Sequence, residues 1–329
     1  MIPSKNATVT LPENAPHGVF DISILGETNL DLILYGLPEE LPLEREVLGS
    51  DFLVTLGGSS SILAHNLSML GSKVGFSSLV GGDAMGDIAL HYLEESGMDL
   101  SHVVRDTAKK TGVTVLLPLG KLRRILTYPG TIAELTISGL DFPFLAAAPH
   151  VHISSLFLQT GLHAGLPALL DRLKAAGKTL SLDTNDDPTD EWAGILPEVL
   201  ERVDLLLPNE EEVLRMTKTC SVEAALDQLL GRIPTVVVKC GSRGALVQTA
   251  EIREWIDPNR VDAIDTIGAG DSFDSGFLHA WLRGATVKDA AAFGNLTGAL
   301  SVLRPGGVEA FRDSSLRREF LASSPWASA

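Results

Sequence analysis

Runs of hydrophobic residues separated by polar segments predict an α/β protein. Helical segments, with apolar residues at steps of three and four, are expected at residues 165–176, 193–200, 210–216 and 222–230. They alternate with short apolar runs of strand length, expected at residues 19–26, 73–80, 150–156, 179–184, 204–207 and 235–239. Regular alternation of strands and helices predicts a mostly parallel sheet covered by helices.

A second set of strand-like runs lies outside this alternation. These runs occupy residues 32–36, 52–56, 111–119 and 121–128, and the last two flank Gly120, which is a hairpin signal. The run at 111–119 carries apolar side chains on both of its faces. Another element or another subunit should therefore cover it.

The most informative stretch is Asp265-Thr266-Ile267-Gly268-Ala269-Gly270-Asp271, which precedes a long helical pattern. The first turn of a helix leaves backbone N–H groups without partners, and side chains no larger than methyl let a phosphate oxygen approach them. Asp271 would lie beside that phosphate, where a carboxylate can accept a proton from an attacking hydroxyl. The stretch predicts a phosphoryl-transfer site; the alternative is a tight turn followed by an acidic first-turn residue.

Two further groups of residues suit the binding of a small ligand. Asn29 and Asp31 follow the first predicted strand two positions apart, so both point the same way if the chain is extended. An amide and a carboxylate at the carboxyl end of a strand suit hydroxyl recognition, although Asp31 could also cap a turn. Gly57 and Gly58 open a helix, either as a ligand contact through the backbone or as a strand-to-helix turn.

The second half of the chain contains two candidate nucleotide and metal segments. Asn209 and Glu212 have the spacing of a helix cap, and the same pair could hold waters of a magnesium ion. Lys239, Gly241 and Gly244 bring positive charge and flexible backbone to the end of a strand, where a nucleoside triphosphate could lie. A plain hairpin turn is the alternative for that segment.

Composition narrows the class of protein. The chain has 329 residues, of which 45% are hydrophobic and 21% charged, and this composition fits a compact enzyme. Its net charge of −16 argues against a nucleic-acid partner, because a phosphate backbone attracts positive charge. Its two cysteines form no metal-binding pattern and fit a reduced, cytoplasmic setting. No apolar run approaches the roughly eighteen residues of a membrane helix. Residues 1–18 are expected to form a loose leader and residues 321–329 a fraying tail.

Together these motifs resemble the ribokinase, or PfkB-type, family of carbohydrate kinases, from about residue 19 to residue 311. Residues 265–271 match the family's most specific motif, residues 57–86 match its other glycine signature in outline, and residues 209–212 match its Asn-x-x-Glu. The resemblance implies a ribokinase-like three-layer α/β/α domain at 19–320 with a small β-strand lid from segments near 32–56 and 111–128. In this family the lid often also forms a dimer interface, so a homodimer is expected.

The resemblance also implies the reaction and the roles of particular residues. It implies an ATP-dependent kinase that transfers the γ-phosphoryl group of Mg-ATP to a hydroxyl of a ribose-, fructose- or keto-sugar-acid-like carbohydrate. Asp271 would be the catalytic base, and the N–H groups of Gly268, Ala269 and Gly270 would form the anion hole. The resemblance further implies that Asn29, Asp31, Gly57 and Gly58 bind the sugar, and that Glu212 with Asn209 holds magnesium through water. Nucleotide contacts are implied for Lys239, Gly241, Gly244 and Asn295. A monovalent cation, K⁺, is implied at Asp265 with the loop 304–307.

The chain departs from the family pattern at Ile62, where the family commonly has a sugar-binding asparagine. Asn66 lies one helical turn further on and could not make the same contact. The identity of the sugar is therefore left open. Arg123 and Arg124 beside the lid would suit an acidic or phosphorylated sugar.

Other classes remain as alternatives. A nucleoside kinase of the same fold would need aromatic side chains over a base, and the lid candidates are Tyr35, Phe52 and Tyr128. A sugar-binding protein without catalysis would have no use for Asp271. A nicotinamide-dependent dehydrogenase would need a G-x-G-x-x-G after the first strand, which the chain lacks, and it also lacks a Walker-type phosphate loop.

Overall fold

The computed structural model describes residues 19–119 and 122–327. The strands are β1 (Ile22–Leu25), β2 (Asn29–Tyr35), β3 (Asp51–Gly57), β4 (Val74–Gly81), β5 (Val103–Asp106), β6 (Gly112–Leu119), β7 (Leu122–Tyr128), β8 (His150–Ile153), β9 (Thr179–Leu182), β10 (Leu205–Leu206), β11 (Thr235–Lys239), β12 (Ala245–Gln248) and β13 (Arg253–Ile256). The α-helices are α1 (Ser59–Met69), α2 (Ala84–Glu95), α3 (Phe142–Leu145), α4 (Thr160–His163), α5 (Leu166–Ala175), α6 (Leu196–Leu200), α7 (Glu210–Thr217), α8 (Val222–Leu229), α9 (Ala269–Trp281), α10 (Val287–Ser301), α11 (Glu309–Arg312) and α12 (Ser314–Leu321). Short 3₁₀ helices lie at Gly130–Ala133, Ile137–Gly139 and Gly241–Arg243.

The main sheet has the strand order β13-β12-β11-β10-β9-β8-β1-β4-β5. Its neighbouring strands run parallel from β5 to β11, and only the pairs β11–β12 and β12–β13 are antiparallel. This confirms the mostly parallel central sheet. Because the chain order reverses on either side of β1, a crevice for ligands is expected at the carboxyl ends of β1 and β8.

Helices cover both faces of this sheet. Leu205 and Val237 point into a core shared with α1, α2, α9 and α10. Their neighbours Leu206 and Val238 point to the opposite face, into a core shared with α5, α6, α7 and α8. Strands buried on both faces need continuous apolar runs, which explains the runs seen in the sequence, and each such side chain stabilises the fold by roughly 1.5–3 kcal/mol. The three-layer α/β/α prediction is confirmed.

The lid is a four-stranded sheet with the order β3-β2-β6-β7. Its β2–β6 pair is parallel and the other two pairs are antiparallel. A strand was expected at residues 32–36, but β2 begins at Asn29. Asn29 and Asp31 therefore lie inside the strand and not before it. The side chains of β2 alternate, so Asn29 and Asp31 lie on one face of the strand and Leu30 and Leu32 lie on the other. The turn predicted at Gly120 lies outside the described residues.

Two segments differ from the expectations. Strand β5 was not predicted, because an edge strand with exposed residues has no clear apolar run. The segment expected to fray, 321–329, is packed as far as it is described: Leu321 is buried, and the Nε2 atom of His279 lies 3.1 Å from the carbonyl oxygen of Trp326. The predicted leader, 1–18, lies outside the described residues. Over the described ranges, no helix is long and apolar enough to cross a membrane.

Candidate active site

Helix α9 begins with an open, glycine-bounded N-terminus. Its N-cap, Gly268, has φ 70°, a left-handed conformation that favours glycine, and a Cβ there would lie 2.5 Å from the Cα of Gly307. No side chain caps this helix, and among the described residues the N–H groups of Gly270 and Asp271 donate to no backbone carbonyl. These N–H groups can therefore receive an anion, which the helix dipole also favours.

Asp271 lies in the first turn of α9 and is nearly buried. Its pKa is raised to about 6, first by burial and then by the negative charge of Asp183, while Lys239 opposes the rise. The carboxylate is thus mostly ionised at neutral pH and more basic than an ordinary aspartate. Those are the properties that a group accepting a proton from a hydroxyl requires.

Asn29, Asp31, Gly57 and Gly58 meet at the base of the lid. The Asn29 amide donates to Asp31 Oδ1 at 3.4 Å and to Thr114 Oγ1 at 3.1 Å. A Cβ at Gly57 would overlap the Asp31 carboxylate, and one at Gly58 would overlap the Asn29 amide oxygen, so both glycines let these side chains lie against the turn. Burial first, and then the negative charge of Asp271, raise the pKa of Asp31 to about 8. The structure thus brings this group together with Asp271.

Lys239 lies behind the first turn of α9. Its Nζ is 2.7 Å from Asp183 Oδ2 and 2.9 Å from Asp274 Oδ2, and all three side chains are buried. A Cβ at Gly270 would lie 3.5 Å from Nζ. The ammonium is occupied by two carboxylates, and the contact of Lys239 with a nucleotide stays a prediction.

Asn209 and Glu212 form a complete capping box at the start of α7. Asn209 Oδ1 accepts from the Glu212 N–H at 2.9 Å, and Glu212 Oε2 accepts from the Asn209 N–H at 2.8 Å. The predicted cap is therefore present. Burial, followed by the negative charge of Asp183, raises the pKa of Glu212 to about 8, with Lys239 opposing the rise. Glu212 is thus one of several carboxylates that repel each other in this part of the molecule.

Gly244 and Asn295 both contact the segment after β13. Gly244 has φ 87°, and a Cβ there would overlap the carbonyl oxygen of Ile256. The Asn295 amide donates to the carbonyl oxygens of Ile256 and Asp257 at 3.2 and 2.9 Å. Gly241 begins the 3₁₀ turn before Gly244 and has open space around it.

Asp265 connects the lid to the loop before α9. Its Oδ2 accepts from the Tyr35 hydroxyl at 2.8 Å and from the Gly306 N–H at 3.1 Å, and its Oδ1 accepts from the Ile267 N–H at 3.0 Å. Three donors thus already occupy the carboxylate that was predicted to face K⁺. In the described part of the chain, no group of three or more His, Cys, Asp or Glu residues could hold a metal ion directly.

Comparison with known proteins identifies the family to which this chain belongs. A model described as "pfkB family carbohydrate kinase" matches residues 20–313. The chain belongs to this family. It is a carbohydrate kinase, a phosphotransferase with an alcohol group as acceptor, and the predicted family and enzyme class are confirmed.

Individual relatives agree with the family assignment. The chain is 30% identical to 2-dehydro-3-deoxygluconokinase of Bacillus subtilis, over 89% of this chain and 95% of the relative. It is 32% identical to ATP-dependent ribose-1-phosphate kinase of Halopiger xanaduensis, over 77% of this chain and 82% of the relative. Among solved structures, ribokinase from Thermotoga maritima is similar with a TM-score of 0.78 and 25% identity, over 92% and 99% of the two chains.

In this pfkB family member, Ile62 and Asn66 both hold helix α1 against the loop at Gly307, and Asn66 also contacts α9. Ile62 is buried, and its Cδ1 would lie 2.6 Å from a Cβ at Gly307. The Asn66 amide donates at 3.0 Å to both Ser272 Oγ and the carbonyl oxygen of Gly307. Asn66 therefore supports the loop that contacts Gly268.

Sequence reasoning missed three polar residues that lie beside these candidate site residues. Asp183 and Asn185 follow β9 two positions apart, and the Asn185 amide donates to Ser59 Oγ at 2.7 Å. The signal was the same as for Asn29 and Asp31, a polar pair at the carboxyl end of a strand. Asp274 gave only a weak signal, as a carboxylate one turn after Asp271 on an otherwise apolar helix.

Proposed function

We propose that this carbohydrate kinase transfers the γ-phosphoryl group of ATP to a hydroxyl of a small sugar. The observation that carries the proposal is the uncapped N-terminus of α9, with the buried carboxylate of Asp271 in its first turn. A phosphate site and a proton acceptor are adjacent there, as the transfer requires. The relative from Halopiger, which is named as ATP-dependent, supports ATP as the donor.

In the proposed mechanism, the N–H groups of Gly268, Ala269 and Gly270 bind the phosphoryl oxygens, and the Ala269 N–H exchanges its 3.3 Å hydrogen bond to the Thr266 carbonyl oxygen for the phosphate. Removing one such preorganised donor typically costs about 10²–10³ in rate. Asn29 and Asp31, with the backbone at Gly57 and Gly58, bind the other sugar hydroxyls. Asp271 orients the acceptor hydroxyl and takes its proton as the new O–P bond forms, while the bond between the γ-phosphorus and the bridging oxygen breaks and ADP leaves.

A magnesium ion fits the carboxylates near the phosphate site. Asp183 raises the pKa of both Asp271 and Glu212, which means that these negative charges repel each other. When bound, the ion would supply positive charge to the phosphate oxygens. Glu212 and Asn209 would hold it through water, which Mg²⁺ commonly retains. K⁺ at Asp265 with the loop 304–307 stays a prediction, since three donors bind that carboxylate and it can accept about four.

The nucleotide is proposed to lie along the end of β11, over the turn that contains Gly241 and Gly244. The open space at Gly241 supports this position. Asn295 would act there by holding the segment after β13 through its two carbonyl contacts. Both cysteines are free, which supports the proposed cytoplasmic setting.

A homodimer through the lid is also proposed. Strand alternation places Leu122, Leu126 and Tyr128 on the lid face opposite Asp31, and they are 79%, 55% and 54% exposed. Large apolar side chains clustered on one exposed face commonly mark a protein interface. A second copy of the chain could cover them.

The sugar is favoured over a nucleoside because of where the lid aromatics point. Phe52 pairs with Leu34 and Tyr128 pairs with Val113, so both aromatics lie on the lid face opposite Asp31. Tyr35 lies on the Asp31 face, but its hydroxyl is bound to Asp265. These positions do not provide a platform for stacking a base. A ribose-, fructose- or keto-sugar-acid-like acceptor therefore remains the proposal.

The test is ADP formation from Mg-ATP across a panel of sugars, sugar acids, sugar phosphates and nucleosides, with Asp271→Asn as the control. We expect turnover on one carbohydrate, lost in the variant by about 10²–10⁴-fold. Turnover with nucleosides alone would favour the nucleoside kinase. A folded, ATP-binding protein that forms no acceptor-dependent ADP would overturn the proposal in favour of a binding protein.

A further inference from the structure

Strand β7 presents Arg123 on the face of the lid that carries Asp31. Asp31 pairs with Thr114, and Thr114 pairs with Thr127, so these three side chains share a face. Arg123 lies four residues from Thr127 on the same strand and therefore points to the same side. Arg124 points to the opposite side.

The guanidinium of Arg123 reaches the loop that leads into the phosphate site. Its Nη1 lies 3.4 Å from the Oγ1 of Thr266, the residue two before Gly268. Burial and the negative charge of Asp271 raise the pKa of Asp31, and Arg123 is a positive charge that opposes this rise. The contact with Thr266 and the effect on the Asp31 pKa thus both place Arg123 at the edge of the proposed sugar site.

Among the described residues around the site, Arg123 is a cation that remains available for a ligand. The groups around the site are mostly carboxylates, and the ammonium of Lys239 is already bound to two of them. Arg123 is exposed and, in residues 19–119 and 122–327, forms no salt bridge. An unpaired guanidinium has five N–H donors in a planar fork that fits a carboxylate or phosphate through two hydrogen bonds.

The position also constrains the substrate. An anionic group on the sugar and the incoming phosphoryl group repel each other, and a cation beside the phosphate loop, such as Arg123, would reduce that repulsion. Thr127, next to Asp31 and Thr114, and Arg123 are four residues apart on β7, or about 13 Å along the strand at 3.3 Å per residue. The Arg123 side chain reaches back from that position to Thr266, so an anionic group bound to it would lie between β7 and the loop before Gly268.

We propose that Arg123 is a specificity-determining residue that pairs with an anionic group of the sugar, either a carboxylate or a phosphate. The proposal rests on the kinase function proposed above and narrows its substrate class to acidic or phosphorylated sugars.

The test compares Arg123→Met with Arg124→Met in the full chain. Both changes remove one positive charge from β7, but only the first removes it from the Asp31 face. ADP formation is measured with matched sets of a neutral sugar, its sugar acid and its sugar phosphate. Arg123→Met is expected to lower kcat/KM for the preferred anionic sugar relative to the neutral one by roughly 10–100-fold, as loss of a charged hydrogen bond implies. Arg124→Met is expected to match the wild type.

Comparing the sugar acid with the sugar phosphate shows whether Arg123 prefers a carboxylate or a phosphate. Arg123→Lys tests whether the planar fork of the guanidinium is needed. Lysine keeps the charge without the fork, so it should restore part of the preference. Equal selectivity ratios for the two methionine variants, or a wild-type preference for neutral sugars, would overturn the assignment of Arg123 while leaving the kinase function intact.

Binding measurements separate this proposal from the proposed function. Calorimetric titration of the anionic sugars into Asp271→Asn and into Asp271→Asn with Arg123→Met reports binding without turnover. Weaker binding to the double variant supports the role of Arg123 even if no ADP forms. Equal binding of every anionic sugar to both proteins contradicts it.

Discussion

The Tyr35 hydroxyl donates a hydrogen bond of 2.8 Å to the Asp265 carboxylate, across 230 positions of the chain. This contact joins the lid strand β2 to the loop that precedes the phosphate site. The same carboxylate accepts from Gly306, so the lid, this loop and the segment against Gly268 are connected. Burial and this hydrogen bond raise the pKa of Tyr35, which keeps its hydroxyl protonated as the donor.

Tyr35→Phe is expected to loosen the lid without unfolding the protein. The variant loses one hydrogen bond to a charged group, which is worth about 1.5–3 kcal/mol and less at this half-buried site. We expect KM for the sugar to rise several-fold, with KM for ATP little changed. Steady-state kinetics would check this, and hydrogen exchange should show faster exchange in β2. Equal KM values for sugar in the two proteins would show that the contact does not hold the lid.

The pKa of Asp271 predicts both an activity profile and a stability difference. With a pKa of about 6, the base is protonated as the pH falls through 6, so kcat/KM should drop on the acid side near pH 6. A raised carboxyl pKa also means that ionisation destabilises the fold, by an amount that grows as the pH rises above the ordinary value of 3.8 and is complete above about 6. Asp271→Asn should therefore melt higher than the wild type at pH 7, and this difference should shrink at pH 5. A variant that melts lower at pH 7 would contradict this assignment.

Gly268→Ala is expected to damage the phosphate site specifically. Gly284, just beyond the other end of α9, also has a positive φ, 89°, but nothing lies within 4 Å of its would-be Cβ. Gly284→Ala should therefore show only the backbone strain of about 1–2 kcal/mol, with kcat little changed. Gly268→Ala adds the collision with Gly307, and we expect it to lower kcat by about 10²-fold. Thermal unfolding and kinetics of both variants would check this, and equal kcat losses would contradict the role of Gly268.

Lys239→Met is expected to destabilise the protein and shift its pH profile. It leaves the buried carboxylates of Asp183 and Asp274 without their cation, which typically costs about 3–5 kcal/mol. It also removes the charge that opposes the rise of the Asp271 pKa, so the acid limb of kcat/KM should move to higher pH.

A second change separates the two effects of Lys239. Asp274→Asn in the Lys239→Met background removes the repulsion between the carboxyl groups of Asp183 and Asp274, so it should recover part of the free energy of unfolding in urea. If the acid limb of kcat/KM stays in place in both proteins, Lys239 does not act on Asp271.

Leu126→Glu is expected to disrupt the proposed homodimer. A charge in the centre of an apolar interface remains solvated in the monomer and loses water in the dimer. Leu230 is similarly exposed, at 51% against 55% for Leu126, but lies just beyond α8, so Leu230→Glu is the matched control. Sedimentation velocity should show a monomer for the first variant and the wild-type state for the second. A wild-type monomer would contradict the dimer.

The sequence predicted the fold class because the pattern that encodes it is local. Strands buried on both faces need unbroken apolar runs, and the helices between them need apolar positions every three or four residues. The edge strand β5 escaped prediction because its residues are largely exposed. The packed tail near Trp326 escaped because its partner, His279, belongs to a distant helix.

The sequence by itself predicted the proposed phosphate site at residues 268–271, because glycine conformation, helix start and first-turn carboxylate are all encoded within a few positions. Only the tertiary structure decided which distant groups act on it. Lys239 meets carboxylates 56 and 35 positions away, which depends on the order of strands in the sheet. The register of the lid decided that Arg123 faces Asp31 and Arg124 does not, because a shift of one residue in a strand exchanges its two faces.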